Sequence, residues 1–209
     1  TQPIYLDWNF IGYRQAKSIS YENRYSRLTY EYENGDKHSK LSPASDDNEL
    51  EKNVTWMNFR QHFFSSMLLT DTAFKEVALS SIDLVKDEEV DTLYTKKYGA
   101  RMLLEPKAGG ISYTMNMYYG PTDYQIFKSY DRNLDEAMPL GWGIFGFLNK
   151  YLIIPLFGFL SGFLPAGIAI IMLTVLIKLA LSPVQYKQYL SQAKLKVLKP
   201  ELDEIKEKF

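Results

Sequence analysis

The sequence predicts a mainly β sandwich domain followed by an α-helical membrane segment. Residues 1–140 hold most of the acids and tyrosines, in short runs where apolar and polar residues alternate and Gly, Pro or Asn mark the turns. Residues 166–182 instead form an apolar run that contains one charge, Lys178. Many short strands favour a two-sheet sandwich, and the apolar run favours a helix that crosses a bilayer.

The first half of the domain is predicted to be mainly β. Alternation around Ile19 and Tyr21, and again over residues 28–32, indicates half-buried strands, and Asn34-Gly35 indicates a turn. The polar stretch 36–52 is typical of an exposed loop.

Residues 54–69 are apolar and aromatic and are predicted to form buried strands, with Gln61 and His62 between them. His62, among phenylalanines, is expected to be a hydrogen-bonded core histidine rather than a metal ligand. Further strands are predicted within 73–105, and the clearest alternation runs from Ile111 to Tyr119, in a strand that Gly109-Gly110 is expected to open.

A short helix is predicted after that strand. Thr122 with Gln125 forms a capping-box pattern, and the apolar residues that follow would supply one face of the helix. These residues are Ile126, Phe127, Tyr130 and Leu134.

Residues 141–164 leave two interpretations open. The stretch is long enough to cross a bilayer, so a two-helix hairpin with residues 166–182 is one of them. Asn149-Lys150, Pro155 and several glycines interrupt it, and Trp142 with repeated phenylalanine suits the membrane interface. We therefore favour a helix lying on the outer membrane surface.

The run 166–182 is predicted to be a transmembrane helix. Its nine Ile, Leu and Val residues contribute about −3 to −5 kcal/mol to insertion, against about 2.5 to 3.5 kcal/mol for a central lysine. A buried helix of a soluble domain is the alternative. The residues after Leu181 include four lysines and no acid up to Lys199, which predicts a cytoplasmic C-terminal side and an extracytoplasmic location for residues 1 to about 140.

The polar residues of this helix follow one stripe. At about 100° per residue, Thr174, Lys178 and Ser182 lie close to one line, and Gln185 continues it if the helix passes Pro183 without a kink. Such a stripe suits a helix that lines a wet cavity. The alternative is a snorkelling lysine with two hydroxyls bonded to their own backbone.

Composition excludes several classes. A net charge of −1 gives no general attraction to nucleic acid, and the absence of cysteine excludes disulfides and thiolate chemistry. Two histidines make a zinc site improbable, and we predict no cofactor. The sequence starts without Met and ends within a helical pattern, so we expect it to be a piece of a longer protein.

Four stretches resemble the YidC/Oxa/Alb family of membrane protein insertases, and within it the bacterial members with a large periplasmic domain. They are TWMNFRQHFFSSMLL (55–69), MYYGPTDY (117–124), GWGIF (141–145) and the region 167–209. The last is the most specific, with a basic residue late in the helix, then a proline, then a Lys-rich helix ending in Lys-Pro-Glu.

The resemblance implies a domain order. Residues 1–138 would be the C-terminal part of a periplasmic β-sandwich domain, 139–164 a periplasmic interfacial amphipathic helix, 165–183 a transmembrane helix, and 184–209 the first helix of a truncated cytoplasmic hairpin. It places the chain in the bacterial inner membrane. The remaining helices of the insertase core would lie outside this chain.

The resemblance also implies a function without catalysis. In the family a basic residue in a hydrophilic groove helps nascent membrane proteins insert, the matching position here is Lys178, and Thr174 matches a polar groove position. Ser182 and Gln185, which helical spacing places on the same stripe, are taken as further groove residues. Many members carry arginine there, so lysine weakens any argument from bidentate binding. Implied partners are the bilayer, Sec translocon subunits and, through the cytoplasmic region, the ribosome.

Two other functions are considered. A membrane-anchored sandwich that binds or cleaves carbohydrate would use Trp8 and Trp56 for stacking and a pair of carboxylates for chemistry. The candidate carboxylates are Asp83, Glu105 and Asp123. A plain anchored scaffold would need no charge at Lys178.

Overall fold

The computed structural model describes residues 3–42, 45–106 and 110–207, with side chains described as far as Lys196. The chain divides into two compact units, Thr1–Met138 and Pro139–Phe209.

The first unit is built from antiparallel strands. In its described residues these are β1 Ile4–Tyr13, β2 Arg27–Tyr32, β3 Lys37–Lys40, β4 Asp47–Glu51, β5 Val54–Arg60, β6 Phe64–Phe74, β7 Val77–Asp83, β8 Tyr94–Leu104 and β9 Met115–Pro121. One sheet has the order β1-β8-β7-β4 and the other the order β3-β2-β5-β6-β9.

The core lies between these two sheets. Trp8 of β1 stacks on Phe59 of β5 with ring centroids 4.0 Å apart, and Phe59 stacks in turn on Tyr98 of β8 at 5.3 Å. These rings join the inner faces of both sheets, because β1 and β8 belong to one and β5 to the other. The predicted β sandwich is confirmed.

The alternation around Ile19 and Tyr21 is not a strand. These residues form α1, Ile19–Tyr25, whose first turn is capped by Ser18 accepting from the Tyr21 amide at 3.3 Å. The Glu22 carboxylate is buried and accepts the amides of Gln15 and Ala16, each at 2.7 Å. Local capping therefore overrides the period-two pattern.

The polar stretch 36–52 is not simply a loop. It contains β3 and β4, and each is the outermost strand of its sheet. Polar and charged residues suit an edge strand because they discourage pairing with another chain. The predicted turn at Asn34-Gly35 is confirmed, since both residues have positive φ, 60° and 98°.

The end of the first unit differs from prediction in two details. The strand expected from Ile111 begins at Met115, and Gly109, expected to open it, lies outside the described residues. The helix that follows is α2, Tyr124–Ser129, and its cap is Asp123 rather than Thr122. The Asp123 carboxylate accepts the amides of Gln125 and Ile126 at 2.8 and 3.0 Å.

The second unit is helical. Its described elements are α3 Gly143–Leu148, a π-helical turn Asn149–Ile153, α4 Ile154–Ser161 and α5 Ala166–Glu207. Two stretches are long and apolar enough to cross a bilayer, Gly143–Ser161 and Ala166–Lys196. The fold class, a mainly β sandwich followed by membrane-capable helices, is confirmed. Whether Gly143–Ser161 crosses the membrane or lies on it stays a prediction.

Candidate functional site

The four predicted groove residues all lie on α5. The helix runs without interruption through Pro183, so Gln185 continues the line of Thr174, Lys178 and Ser182. Side chains four apart in a helix differ by about 40°, and side chains seven apart by about 20°. All four are exposed on the helix surface. The structure thus gives α5 one polar face, as a groove-lining helix requires; a surrounding groove stays a prediction.

Both hydroxyls of this face are bonded to their own helix. Thr174 Oγ1 donates to the Ile170 carbonyl and Ser182 Oγ to the Leu179 carbonyl, each at 2.8 Å. Their donor hydrogens are used, so they offer a visiting group their oxygen lone pairs. Lys178 and Gln185 supply the donors of the polar face.

Ser182 has a further role that the spacing did not predict. Pro183 has no amide hydrogen, and in an α-helix that hydrogen would bond to the carbonyl four residues earlier, Leu179. Ser182 donates to that same carbonyl. The Ser182 hydroxyl therefore replaces the missing amide of Pro183 at the Leu179 carbonyl, and α5 continues as a helix through the Ser-Pro pair.

Lys178 has no acidic residue in the stretch of chain around it, since the first acid of α5 is Glu201. The sequence contains no Asp or Glu between Glu136 and Glu201, while five lysines fall between Lys178 and Lys199 inclusive. An opposite charge must come from outside this stretch.

Within the described residues no group of three or more His, Cys, Asp or Glu side chains is placed to hold a metal ion.

The residues proposed for carbohydrate chemistry are engaged elsewhere. Trp56 is buried, and Trp8 stacks on Phe59 inside the sandwich. Glu105 pairs with Lys75 at 2.6 Å, and Asp123 caps α2. These carboxylates belong to separate elements and each makes a structural contact.

A shallow depression of 430 Å³ lies on the outer face of the four-stranded sheet. Its two carboxylates are also in use, since Asp7 faces Arg101 at 3.7 Å and Glu49 accepts from the Tyr30 hydroxyl. None of the described residues that line it is aromatic. It therefore gives the carbohydrate alternative no stacking surface.

Sequence reasoning missed two buried cations at one end of the sandwich. Lys96 Nζ lies 3.3 Å from the Asp83 carboxylate, and its side chain is fully buried. Burial lowers the pKa of Lys96, and the charge of Asp83 opposes that shift. The sequence signal that could have predicted this burial is that Lys96 falls on the apolar face of an alternating strand.

Arg60 is the second buried cation. It donates to the Tyr25 carbonyl through Nε at 3.1 Å and Nη2 at 2.8 Å, and through Nη1 to the Ala137 carbonyl at 3.4 Å. Burial lowers its pKa to about 10. The guanidinium fork thereby ties α1 to the segment where the chain leaves the sandwich.

His62 is not the hydrogen-bonded core histidine expected. It is half-buried beside the turn between β5 and β6, and its ring stacks on Tyr25 with centroids 5.0 Å apart. Its Nδ1 has no partner among the described residues.

A β sandwich joined to helices that are able to cross a bilayer defines a class, that of membrane-anchored sandwich proteins. Comparison with known proteins identifies the family within this class. Residues 5–155 match the family model described as the YidC periplasmic domain, and residues 158–209 match the one described as the 60Kd inner membrane protein. The chain belongs to the YidC family of inner membrane proteins.

Curated relatives agree with that assignment. The chain is 32% identical over 218 residues to a protein of Parabacteroides distasonis, covering all of this chain and 34% of the relative. It is 33% identical over 207 residues to one of Azobacteroides pseudotrichonymphae, covering 94% of this chain and 33% of the relative. Both relatives are named membrane protein insertase YidC. The chain spans about a third of the length of these curated relatives.

Proposed function

We propose that this chain is part of an insertase that helps integral membrane proteins enter and fold in the inner membrane, without a catalytic step. The observation that carries the proposal is Lys178, a cation on the polar face of α5 with no acid in its own stretch. The family assignment and the names of the relatives support it.

The physical argument starts from the cost of charge in lipid. A charged residue at the centre of a membrane helix costs about 2.5 to 3.5 kcal/mol. A groove lined by Lys178, Thr174, Ser182 and Gln185 lowers this cost for an incoming segment, since it provides water and hydrogen-bonding groups part-way across. The ammonium attracts acidic residues of that segment. Apolar residues then leave sideways into lipid.

The remaining walls of the groove must come from helices outside this chain. With Lys187, Lys194, Lys196 and Lys199 after the span, the C-terminal region 184–209 is assigned to the cytoplasm, where it offers a docking site for substrate or ribosome. Residues 1–164 are assigned to the periplasmic side, with 139–164 as an interfacial helix. The sandwich is the part available to Sec translocon subunits.

The test is complementation by the full-length protein with substitutions at Lys178. Lys178→Ala and Lys178→Glu should lose insertion activity, because the attraction is removed or reversed, and Lys178→Arg should retain it. The readout is growth of a depleted strain together with protease protection of a model substrate.

Lys187→Ala is the matched control. Lys187 is an exposed lysine on the same helix, and nine residues turn it about 180° away from Lys178. It should behave as the unsubstituted protein. Full activity of Lys178→Glu would disprove the proposed groove mechanism and leave a plain anchored scaffold as the better account.

A further inference from the structure

One end of the sandwich exposes a cluster of aromatic rings. This aromatic patch consists of Tyr21 and Tyr25 of α1, together with His62, Phe63 and Phe64 at the turn between β5 and β6. Tyr21 stacks beside Tyr25 at 4.8 Å, Tyr25 on His62 at 5.0 Å, and His62 beside Phe63 at 4.0 Å, between ring centroids. The tyrosine and phenylalanine rings are exposed.

The patch is held in place by backbone bonds. The Gln61 amide donates to the Phe64 carbonyl at 2.8 Å and closes the turn that presents Phe63. Arg60, directly before this turn, binds the carbonyl of Tyr25. The turn and α1 are therefore fixed relative to each other, and the rings form one surface.

The exposed charges of the segment 14–26, beside the patch, are basic, and the exposed carboxylate of Asp123, next to the Thr122 amide that donates to Phe63, accepts two amides of α2. The segment 14–26 contains Arg14, Lys17 and Arg24, and Lys17 and Arg24 are exposed. Its one acid is Glu22, which is buried and accepts two backbone amides. This end of the sandwich thus offers rings and positive charge together.

The chain leaves the sandwich at the same end. Arg60 binds the carbonyls of both Tyr25 and Ala137, so the patch lies beside the exit of the chain. Gly143, the first residue of the nearer membrane-capable stretch, is five residues beyond Met138.

We infer that the aromatic patch and its basic rim bind the anionic lipid headgroup surface on the side of the membrane that the sandwich occupies. Tyrosine and histidine have an apolar ring and a polar atom, which suits the interface between headgroups and acyl chains. Lys17 and Arg24 add attraction to anionic lipid. The inference rests on the membrane attachment of this chain but not on a role for Lys178.

The test is lipid contact measured at single labelled sites. The sequence contains no cysteine, so Phe63→Cys takes one environment-sensitive fluorophore. The full chain is placed in nanodiscs of phosphatidylcholine and phosphatidylglycerol that include a lipid with a spin label on its headgroup. Quenching of the fluorophore by that lipid is measured.

Ile4→Cys is the matched control. Ile4 is 50% exposed and Phe63 is 53% exposed. Ile4 begins β1, whose other end at Tyr13 accepts a hydrogen bond from Gln61, and nine strand residues separate these ends by about 30 Å. Quenching should be several-fold stronger at position 63 than at position 4. Equal quenching at the two positions would overturn the inference.

A third label separates the inference from the membrane attachment. Leu176→Cys, on the face of α5 opposite Lys178, should be quenched by a lipid labelled on its acyl chain. Absence of quenching at Leu176→Cys would overturn the membrane attachment of the chain and, with it, the inference about the aromatic patch. Quenching at Leu176→Cys without quenching at Phe63→Cys would overturn the inference alone.

Charge reversal provides the second measurement. Lys17→Glu with Arg24→Glu should reduce quenching at position 63 several-fold in anionic nanodiscs. Lys52→Glu with Lys75→Glu changes the net charge equally at exposed lysines near the other end of β5, and should leave quenching unchanged. Equal effects of the two pairs would show a general charge effect and overturn the basic rim as a lipid contact.

Discussion

The sandwich buries two cations, and α5 carries a third cation within its apolar stretch, and the two regions differ in how these charges are paired. Lys96 is paired with Asp83 at 3.3 Å, and Arg60 donates to two backbone carbonyls. Lys178 lies in the apolar part of α5, in a stretch of chain without an acid. The sandwich supplies partners for its buried cations from its own residues, whereas the stretch of α5 around Lys178 supplies no acid to pair with that lysine.

The difference separates structural from functional charge. A buried charge with an internal partner is part of the folded structure, and removal of the partner destabilises the fold. A charge in a membrane helix without an internal partner costs insertion energy, so its retention indicates use by water, a substrate or another helix. Thr174 and Ser182 bond to their own backbone, which leaves Lys178 as the charge to be explained.

The largest expected effect is on the stability of the sandwich. Asp83→Ala leaves Lys96 buried without its partner, and such a change costs about 3 to 5 kcal/mol of unfolding free energy. Urea unfolding of the full chain in detergent micelles, followed by tryptophan fluorescence, measures it.

The double variant Asp83→Leu with Lys96→Met removes both charges and serves as the control. It should be markedly more stable than Asp83→Ala, because no buried charge is left alone. A single variant that unfolds at the same urea concentration as the unsubstituted chain would contradict the assignment of this pair as structural.

A smaller effect is expected in α5. Ser182→Ala leaves the Leu179 carbonyl without a donor and should cost about 0.6 to 1.7 kcal/mol, the range of hydrogen bonds within membrane proteins. Unfolding in mixed micelles measures this loss of unfolding free energy, and Ser182→Thr should keep most of the stability that Ser182→Ala loses.

Pro183→Ala tests the cause of that loss. It returns the backbone amide that binds Leu179, so Ser182→Ala should cost much less in a Pro183→Ala background. An equal cost in both backgrounds would show that the hydroxyl serves a purpose other than replacing the missing amide.

The smallest expected effect is on the stability of the sandwich at acidic pH. Asp46 accepts the Asp83 amide and pairs with Lys86, and these contacts hold its pKa below the ordinary value. The unfolded chain therefore takes up this proton at higher pH than the folded chain, so the contribution is present above about pH 4 and is lost as pH falls through the folded pKa. In the Asp46→Asn variant, the urea midpoint should fall less between neutral and acidic pH than in the unsubstituted chain. An equal fall in both proteins would contradict the contribution assigned to Asp46.

Much of this architecture was predictable from the sequence. The sandwich followed from the apolar and aromatic run 54–69, from the alternation over 28–32 and 111–119 and from turn residues such as Asn34-Gly35, and the membrane-capable stretch 166–182 followed from composition. The position of Lys178 on a polar stripe followed from helical spacing, which needs no knowledge of the fold.

Other features depend on contacts that spacing does not encode. Residues 19–25 became helical because Glu22 binds backbone amides upstream, and β4 forms because β7 supplies a neighbour for a polar segment. Arg60 gained its role from Tyr25 and Ala137, which are distant in sequence. The bond from Ser182 to Leu179 was predictable in principle from the Ser-Pro pair.

The most direct measurement of the central claim is water access at position 178. Lys178→Cys in otherwise cysteine-free full-length protein is exposed to a membrane-impermeant maleimide in inverted inner-membrane vesicles, and Leu176→Cys serves as the lipid-facing reference. Because the thiol reacts as thiolate in water, labelling at 178 from the cytoplasmic side, without labelling at 176, is predicted. Equal absence of labelling at both positions would show that the cation lies against lipid and would contradict the account.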